Sequence, residues 1–341
     1  MTFFASVDGG LSSHASNPAG AQDGLETLID SATAVFSGRA KISAFLGATA
    51  GLRLLPGHQQ SALLQVAETT LEKKFPGASV KVIDGRDEAE FQWRTVSFLT
   101  GDSGAVVVDL GGGSVQLAYK SHKAPENVTQ KQYMQPLPEG GHLFVHSWLG
   151  FGLRAARMKI LETSSESACV ARRVSYTYGD RTVEVDGLNA IDRAKACSDQ
   201  VAAAMRIGSG CEQGLEPCAF NGGWRGPSAH APGNTYYLFS YVYDVSVRLK
   251  FLRPEMDGAE LQVEALVRAA TEACDADRLD SAHDPEHDLL CLDATFVAVF
   301  VSQGLGLHAD QKINVAHKLD YRGASFEASW PLGAALANQE L

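Results

Sequence analysis

Between residues 105 and 119 the chain reads Ala-Val-Val-Val-Asp-Leu-Gly-Gly-Gly-Ser-Val-Gln-Leu-Ala-Tyr, an apolar run that ends on a carboxylate and turns through three glycines. Beyond the turn Val115, Leu117 and Tyr119 alternate with Ser114, Gln116 and Ala118, a period of two, so the glycines sit at the tip of a β-hairpin. Gly111, Gly112 and Gly113 carry no Cβ, which lets backbone amides close on a phosphate. An ordinary tight turn wants glycine too, and the polar residues around the tip decide between the two uses. Asp109, ending an apolar strand, is costly without hydrogen bonds or a nearby cation, and a metal-bound water would suit it. Ser114 can donate to a phosphate oxygen, and Gln116 can donate and accept at once, as holding a water in line with phosphorus requires. The stretch has no Gly-Lys-Ser/Thr ending and no helix behind the glycines, so it is neither of the common nucleotide loops.

Chemistry on a bound water also needs a proton acceptor. Asp84, Asp87, Glu88 and Glu90 cluster where a strand gives way to a helix, and carboxylates favour a helix start for dipole reasons alone; residue type does not choose among them. Thr49, ending a strand beside Gly51, either presents its hydroxyl to a phosphate or simply turns the chain. Asp8-Gly-Gly-Leu-Ser-Ser13 imitates a phosphate loop, but Asn17-Pro18 stands where a second hairpin strand is needed. Trp93, Trp148, Trp224 and Trp330 read as core or rim packing. The ten histidines show no metal-ligand spacing, and no Gly-x-Ser-x-Gly elbow is present.

The elements that must position these residues alternate. Leu25, Leu28, Ile29, Ala32, Val35 and Phe36 share one helical face, with Gly38 placed to end it. A strand over 41–48, a helix over 59–75, a strand over 80–83 and a helix over 88–99 follow, the last with Phe91, Thr95, Phe98 and Leu99 on one side and Gly101 behind it. This order predicts an α/β fold. After the hairpin come helical stretches such as 192–206, a Gly- and Pro-rich loop over 221–234, an apolar segment over 291–307, alternating strands within 312–330 and a short final helix. With 341 residues, 45% of them hydrophobic, the chain can bury a sizeable core. A net charge of -11 speaks against duplex nucleic acid or an anionic membrane surface, whereas a metal and a nest of amides can still neutralise a nucleotide. The sequence shows no membrane span and no signal pattern at its start. Six cysteines without a Cys-x-x-Cys pair read as structural disulfides, whose pairing the spacing leaves open. With the acceptor pattern Asn127-Val-Thr129 they point to a lumenal or extracellular compartment.

In order along nearly the whole chain, these residues resemble the apyrase (nucleoside triphosphate diphosphohydrolase) family in its plant and green-algal form. Gly47-Ala-Thr49-Ala-Gly51-Leu-Arg-Leu-Leu55 resembles the family's second signature, Gly85-x-x-Glu88-x-x-Phe91-x-Trp93-x-Thr95-Val96 the third, Asp109-Leu-Gly-Gly-Gly-Ser-Val-Gln116 the fourth and Tyr237-Leu-Phe-Ser-Tyr-Val-Tyr243 the fifth. His146-Ser-Trp-Leu-Gly-Phe-Gly152, Cys218-Ala-Phe-Asn-Gly-Gly-Trp224 and Trp330-Pro-Leu-Gly333 join the set.

The resemblance implies an actin-like fold of two ribonuclease-H-like lobes, 1–84 with 318–341 and 85–317, and nucleotide held between them. It implies hydrolysis of nucleoside tri- and diphosphates with Ca2+ or Mg2+: Glu88 as base, Asp109 holding the metal's water shell, Gly111 to Gly113 around the phosphates, and Ser114 and Gln116 placing the water. Thr49 would lie near the phosphates and Tyr243 against the base; Cys169 would pair with Cys197, Cys211 with Cys218, and Cys274 with Cys291. Position 89 is alanine where the third signature has glycine. The family's first signature, an Asp-x-Gly-Ser/Thr hairpin, is expected upstream of the segment that Gly10-Leu-Ser-Ser-His-Ala15 resembles, so the first lobe is expected to be truncated. Two other readings follow: an impaired homologue that at most binds nucleotide, and a kinase or exopolyphosphatase of the same superfamily.

Overall fold

In the computed structural model residues 5–36, 42–138, 140–227, 234–276 and 287–339 are described, and the chain divides into two compact units, Met1–Asp87 and Glu88–Leu341. The first unit opens with a 3-10 turn, Leu11–His14, in which the Ser13 hydroxyl donates to Gly10 O at 2.7 Å; the segment 8–13 is a turn and not a phosphate hairpin. Helix α1 (Ala21–Val35), strand β1 (Phe45–Ala48), the one-turn α2 (Ala50–Arg53), α3 (Gly57–Glu72) and β2 (Ser79–Val82) follow. The two strands pair in parallel from Phe45 with Ser79 to Ala48 with Val82. Leu25 of α1 meets Ala67 and Leu71 of α3 in a small core, the meeting of apolar stripes that their helical spacing requires. Gly38, expected to end α1, lies outside the described residues. Helix α4 (Gly85–Thr100) starts at the end of this unit and runs into the next.

The second unit contains β3 (Ala105–Leu110), β4 (Ser114–Ser121), α5 (Val128–Lys131), β5 (Met134–Pro136), β6 (His142–Leu149), α6 (Leu153–Leu161), β7 (Glu166–Ser167), β8 (Val174–Tyr178), β9 (Arg181–Gly187) and α7 (Arg193–Ala204). It continues with β10 (Thr235–Ser240), α8 (Tyr241–Arg248), β11 (Gly258–Gln262), α9 (Val263–Ala276), α10 (Leu290–Val299), β12 (Lys312–Ala316), β13 (Lys318–Tyr321), β14 (Ala324–Glu327) and α11 (Trp330–Gln339). Seven strands form one sheet in the order β11-β12-β10-β3-β4-β6-β5. At its centre β12, β10 and β3 are parallel, and β4 turns back antiparallel to β3.

All six residues of β3 are buried, because both faces of the sheet are covered. Val106, Val108 and Leu110 enter the main core with Phe296 and Phe300, while Ala105 and Val107 meet Ala89, Trp93 and Val96 of α4. The α4 face turned inward is Glu88, Ala89, Gln92, Trp93, Thr95, Val96 and Leu99. This departs from the expected face: Phe98 points outward, 42% exposed, and packs on Tyr321 at 4.8 Å between ring centroids. The apolar count misleads there because polar groups occupy the buried stripe.

The segment 318–341, expected with the first lobe, is held in the second unit through α4: Gln92 Nε2 donates to Ala328 O at 2.6 Å and Thr95 Oγ1 to Ser329 O at 2.9 Å. Three disulfides, Cys169–Cys197, Cys211–Cys218 and Cys274–Cys291, staple the second unit with the pairing that the family resemblance implied.

Helix α10 is mostly apolar, and its one charged residue, Asp293, has an exposure of 0%. Arg157 of α6 grips that carboxylate with two bonds, Nε to Oδ1 at 2.7 Å and Nη2 to Oδ2 at 2.6 Å, and Arg248 of α8 adds a third. Removing one partner of such a buried pair leaves an uncompensated charge, whereas the intact pair contributes little by itself. Asp293→Ala is therefore expected to lower stability by about 3–5 kcal/mol, read as a lower urea midpoint at unchanged slope. A loss below about 1 kcal/mol, the level of a solvated pair, would show that both guanidiniums reach water.

Candidate active site

The first turn of α4 carries the four candidate carboxylates, and the structure separates their surroundings. Asp84 precedes the helix and caps it, Oδ1 accepting from Arg86 N at 2.7 Å and Asp87 N at 2.8 Å, which engages two of the amides a helix start leaves open. Glu90 is paired with Arg94 at 2.9 Å one turn on. Asp87 is half-buried, and Glu88 alone of the four is buried.

Strand pairing brings the other groups to Glu88. Asp109 lies opposite Gln116 across β3 and β4, and Gln116 lies opposite Ser147 across β4 and β6. The period of two puts Asp109, Ser114 and Gln116 on the face that β3 and β4 turn toward α4. There Gln116 Nε2 donates to Glu88 Oε2 at 3.1 Å and stands 2.7 Å from Ser114 Oγ and 3.0 Å from Ser147 Oγ. A carboxylate oxygen only accepts, so the Glu88 contact orients the amide. Its other atom, Gln116 Oε1, is buried without a hydrogen-bond partner among the described residues.

Asp109 is 8% exposed, and its described partner is the Ser240 hydroxyl, which donates to Oδ1 at 2.6 Å. Burial pushes the Asp109 carboxyl above its ordinary range, and the Ser240 bond pulls it back in part. Ser240 joins β10 to α8 at φ 59 and ψ -123, an unusual backbone for a residue with a Cβ. Such geometry costs on the order of 1–3 kcal/mol and concentrates at functional sites.

Glu88, Asp109, Gly111, Ser240, His317 and Trp330 line a cavity of about 240 Å³ within the second unit. His317 Nε2 is 3.1 Å from the Glu327 carboxylate, which also lines the cavity and whose pKa burial raises against the opposing pull of His317 and Lys318. Tyr243 does not line it. That ring stacks on His317 at 5.3 Å, and its hydroxyl donates to Met256 O at 2.8 Å. Thr49 belongs to the first unit, where its carbonyl accepts from Leu52 N and Arg53 N at the start of α2.

Glu88, Ser114 and Gln116 are thus brought together, and Asp109 and Gly111 share the Glu88 cavity. The sequence reading missed Ser240, Ser147, His317 and Glu327 as site groups. Ser240 and Ser147 lie inside stretches already singled out as signatures, whereas His317 and Glu327 carry no motif of their own. The described oxygen set, a buried carboxylate poorly tolerant of its own charge beside a second carboxylate in one cavity, fits a hard divalent cation better than a soft one.

The chain is similar along most of its length to several known proteins. The potato (Solanum tuberosum) protein named apyrase is 29% identical over 98% of this chain and 80% of its own length. Apyrase 1 of Arabidopsis thaliana is 30% identical over 98% of this chain and 78% of its own, and the human nucleoside diphosphate phosphatase ENTPD5 is 30% identical over 97% and 78%. Among solved structures, nucleoside triphosphate hydrolases of Neospora caninum align with a TM-score of 0.59 at 14% identity, covering 95% of this chain and 77% of theirs. An Aquifex aeolicus member of the Ppx/GppA family aligns at 0.52 and 11%, covering 97% and 87%. These two likenesses establish the actin-like, two-lobed α/β fold. A family model matches residues 2–340, so the chain belongs to the GDA1/CD39 (nucleoside phosphatase) family.

Proposed function

We propose that this chain hydrolyses nucleoside tri- and diphosphates to the monophosphate and phosphate by direct attack of water, without a phosphoenzyme, in the presence of Ca2+ or Mg2+. The observation that carries the reading is the buried contact of Gln116 with both Glu88 and Ser114 beside the glycine hairpin. The amides of Gly112 and Gly113 donate to the phosphate oxygens of the bound substrate. Ser114 adds a hydroxyl donor, and Gln116 Oε1, buried without a hydrogen-bond partner among the described residues, accepts from the attacking water and holds it toward phosphorus. Glu88 takes the proton of that water at a carboxylate oxygen, while the bond to the leaving phosphate breaks. Positioning and charge neutralisation account for most of the acceleration in such transfers.

A divalent cation would be held by Asp109 through water, where it neutralises phosphate charge. For Thr49 the family resemblance implies a place near the phosphates and for Tyr243 a place against the base. The likeness to the Ppx/GppA fold is compatible with a polyphosphatase, but the sequence relatives favour nucleotides. The disulfides favour a lumenal or extracellular site of action. Among the described residues no helix is long and apolar enough to cross a membrane.

Glu88→Gln is expected to lower kcat for ATP and ADP by about 10²- to 10⁴-fold, the worth of a positioned base, while nucleotide affinity in isothermal titration is retained. Loss of both in a well-folded variant would contradict the role of base, and a folded wild-type protein that releases no phosphate would identify an inactive homologue. For Asp109→Asn, the rise in melting temperature that Ca2+ or Mg2+ confers on wild type should disappear; an undiminished rise would place the cation elsewhere. Alkylation of the protein from its native host without reductant should leave all six cysteines unmodified, and labelled thiols would argue for a reducing compartment.

A further inference from the structure

We propose that the start of α6, with Gly152 at its cap, is the positioning element that makes the glycine hairpin an anion site, and that Gly152 governs substrate affinity through that hairpin. This rests on the reading of the hairpin as the phosphate site. The hairpin's carbonyls are engaged by one neighbouring segment: Leu153 N donates to Gly111 O at 2.9 Å, Ala155 N to Gly112 O at 3.0 Å and Gly150 N to Gly113 O at 2.7 Å. In a trans peptide unit the carbonyl and the following N–H point to opposite sides. The first two bonds therefore direct the amides of Gly112 and Gly113 away from α6, and among the described residues neither amide donates to a partner. Two adjacent free amides form an anion-binding concavity.

A helix start commonly offers its own first amides to an anion. Here the amides of Leu153 and Ala155 are occupied by the hairpin, so through them the positive end of α6 acts on an anion by way of two peptide units. Each link in such a chain polarises the next, by on the order of 10–30%. Gly152 permits the approach. A Cβ there would stand 2.5 Å from Gly111 O, Gly112 C and Ser114 N, all backbone atoms that no side-chain rotation can relieve. Its φ of -65° and ψ of 161° suit any residue, so glycine is required for proximity and not for backbone freedom. At Gly112, by contrast, a Cβ would meet Arg154 Cδ at an ordinary 3.4 Å.

The test compares Gly152→Ala with Ala156→Gly, which weakens the same helix without touching the hairpin. Gly152→Ala should raise KM for ATP and the inhibition constant of inorganic phosphate together by about tenfold or more, as for loss of a hydrogen bond to a charged group. Its melting response to Ca2+ or Mg2+ should persist. Ala156→Gly should melt earlier with both constants unchanged. A Gly152→Ala protein that melts earlier but keeps wild-type constants would overturn the proposal. Amide exchange on the wild-type protein tests it without any variant: Gly112 and Gly113 should exchange fast and become protected by inorganic phosphate, with Leu153 and Ala155 protected throughout. Protection of Gly112 and Gly113 before phosphate is added would also overturn it. A wild-type protein that neither hydrolyses ATP nor shows phosphate-dependent protection would defeat the phosphate-site reading itself.

Discussion

The pairing of β3 with β4 is the constraint from which the rest of the site follows. With Asp109 opposite Gln116 and Leu110 opposite Val115, every second residue of both strands faces α4 and every other one faces the main core. A slip of one residue would turn Asp109, Ser114 and Gln116 into the core around Phe296 and bring Val108, Leu110 and Val115 to the cavity side. The apolar residues on the opposite face therefore specify the register, and the polar residues are carried to α4 by it. The core supplies the free energy that holds unfavourable groups in place.

Those groups are unfavourable in a definite sense. Asp109 sits where burial disfavours its charge, Ser240 is held in a left-handed backbone to donate to it, and Gln116 leaves one buried oxygen without a partner. Each costs free energy, and on the proposed function the costs at Asp109 and Gln116 would be relieved by what the site binds. A cation would favour the charged form of Asp109, and a water would satisfy Gln116. The buried triad of Asp293 with Arg157 and Arg248 has another character: its groups are paired with one another, and it joins α6, α8 and α10 beneath the site.

Much of this was legible in the sequence. Period-two alternation identified the hairpin, and the residue types at its tip pointed to the phosphate chemistry proposed above. The choice of Glu88 among four carboxylates was not available from residue type, because Asp84 becomes a cap and Glu90 an ion-pair partner only once α4 and its rotation are known. Ser240 was hidden for a similar reason: its role depends on a strand pairing 131 residues away in sequence. The inward face of α4 was misjudged because a helix that carries polar groups inward violates the rule that the apolar stripe is the buried one. His317 and Glu327 are brought to the cavity by tertiary structure alone, with no local pattern to announce them.

The C-terminal Trp330-Pro-Leu-Gly333 stretch shows how a motif can be visible in a sequence while its reason is not. Gly333 N donates to Thr95 Oγ1 at 2.8 Å, and the same hydroxyl donates to Ser329 O, so Thr95 bridges two points of the incoming chain. A Cβ at Gly333 would fall 1.8 Å from Phe91 O, closer than any side chain permits. The final helix thus lies against the backbone of α4 one turn beyond Glu88, and Gln92 adds its bond to Ala328 on the same face. A carboxylate that must meet Gln116 at hydrogen-bond distance cannot ride on a helix free to shift along its axis, and one turn of slippage, about 5.4 Å, would abolish the contact. Residues 328–333 therefore help to fix where Glu88 stands relative to Gln116.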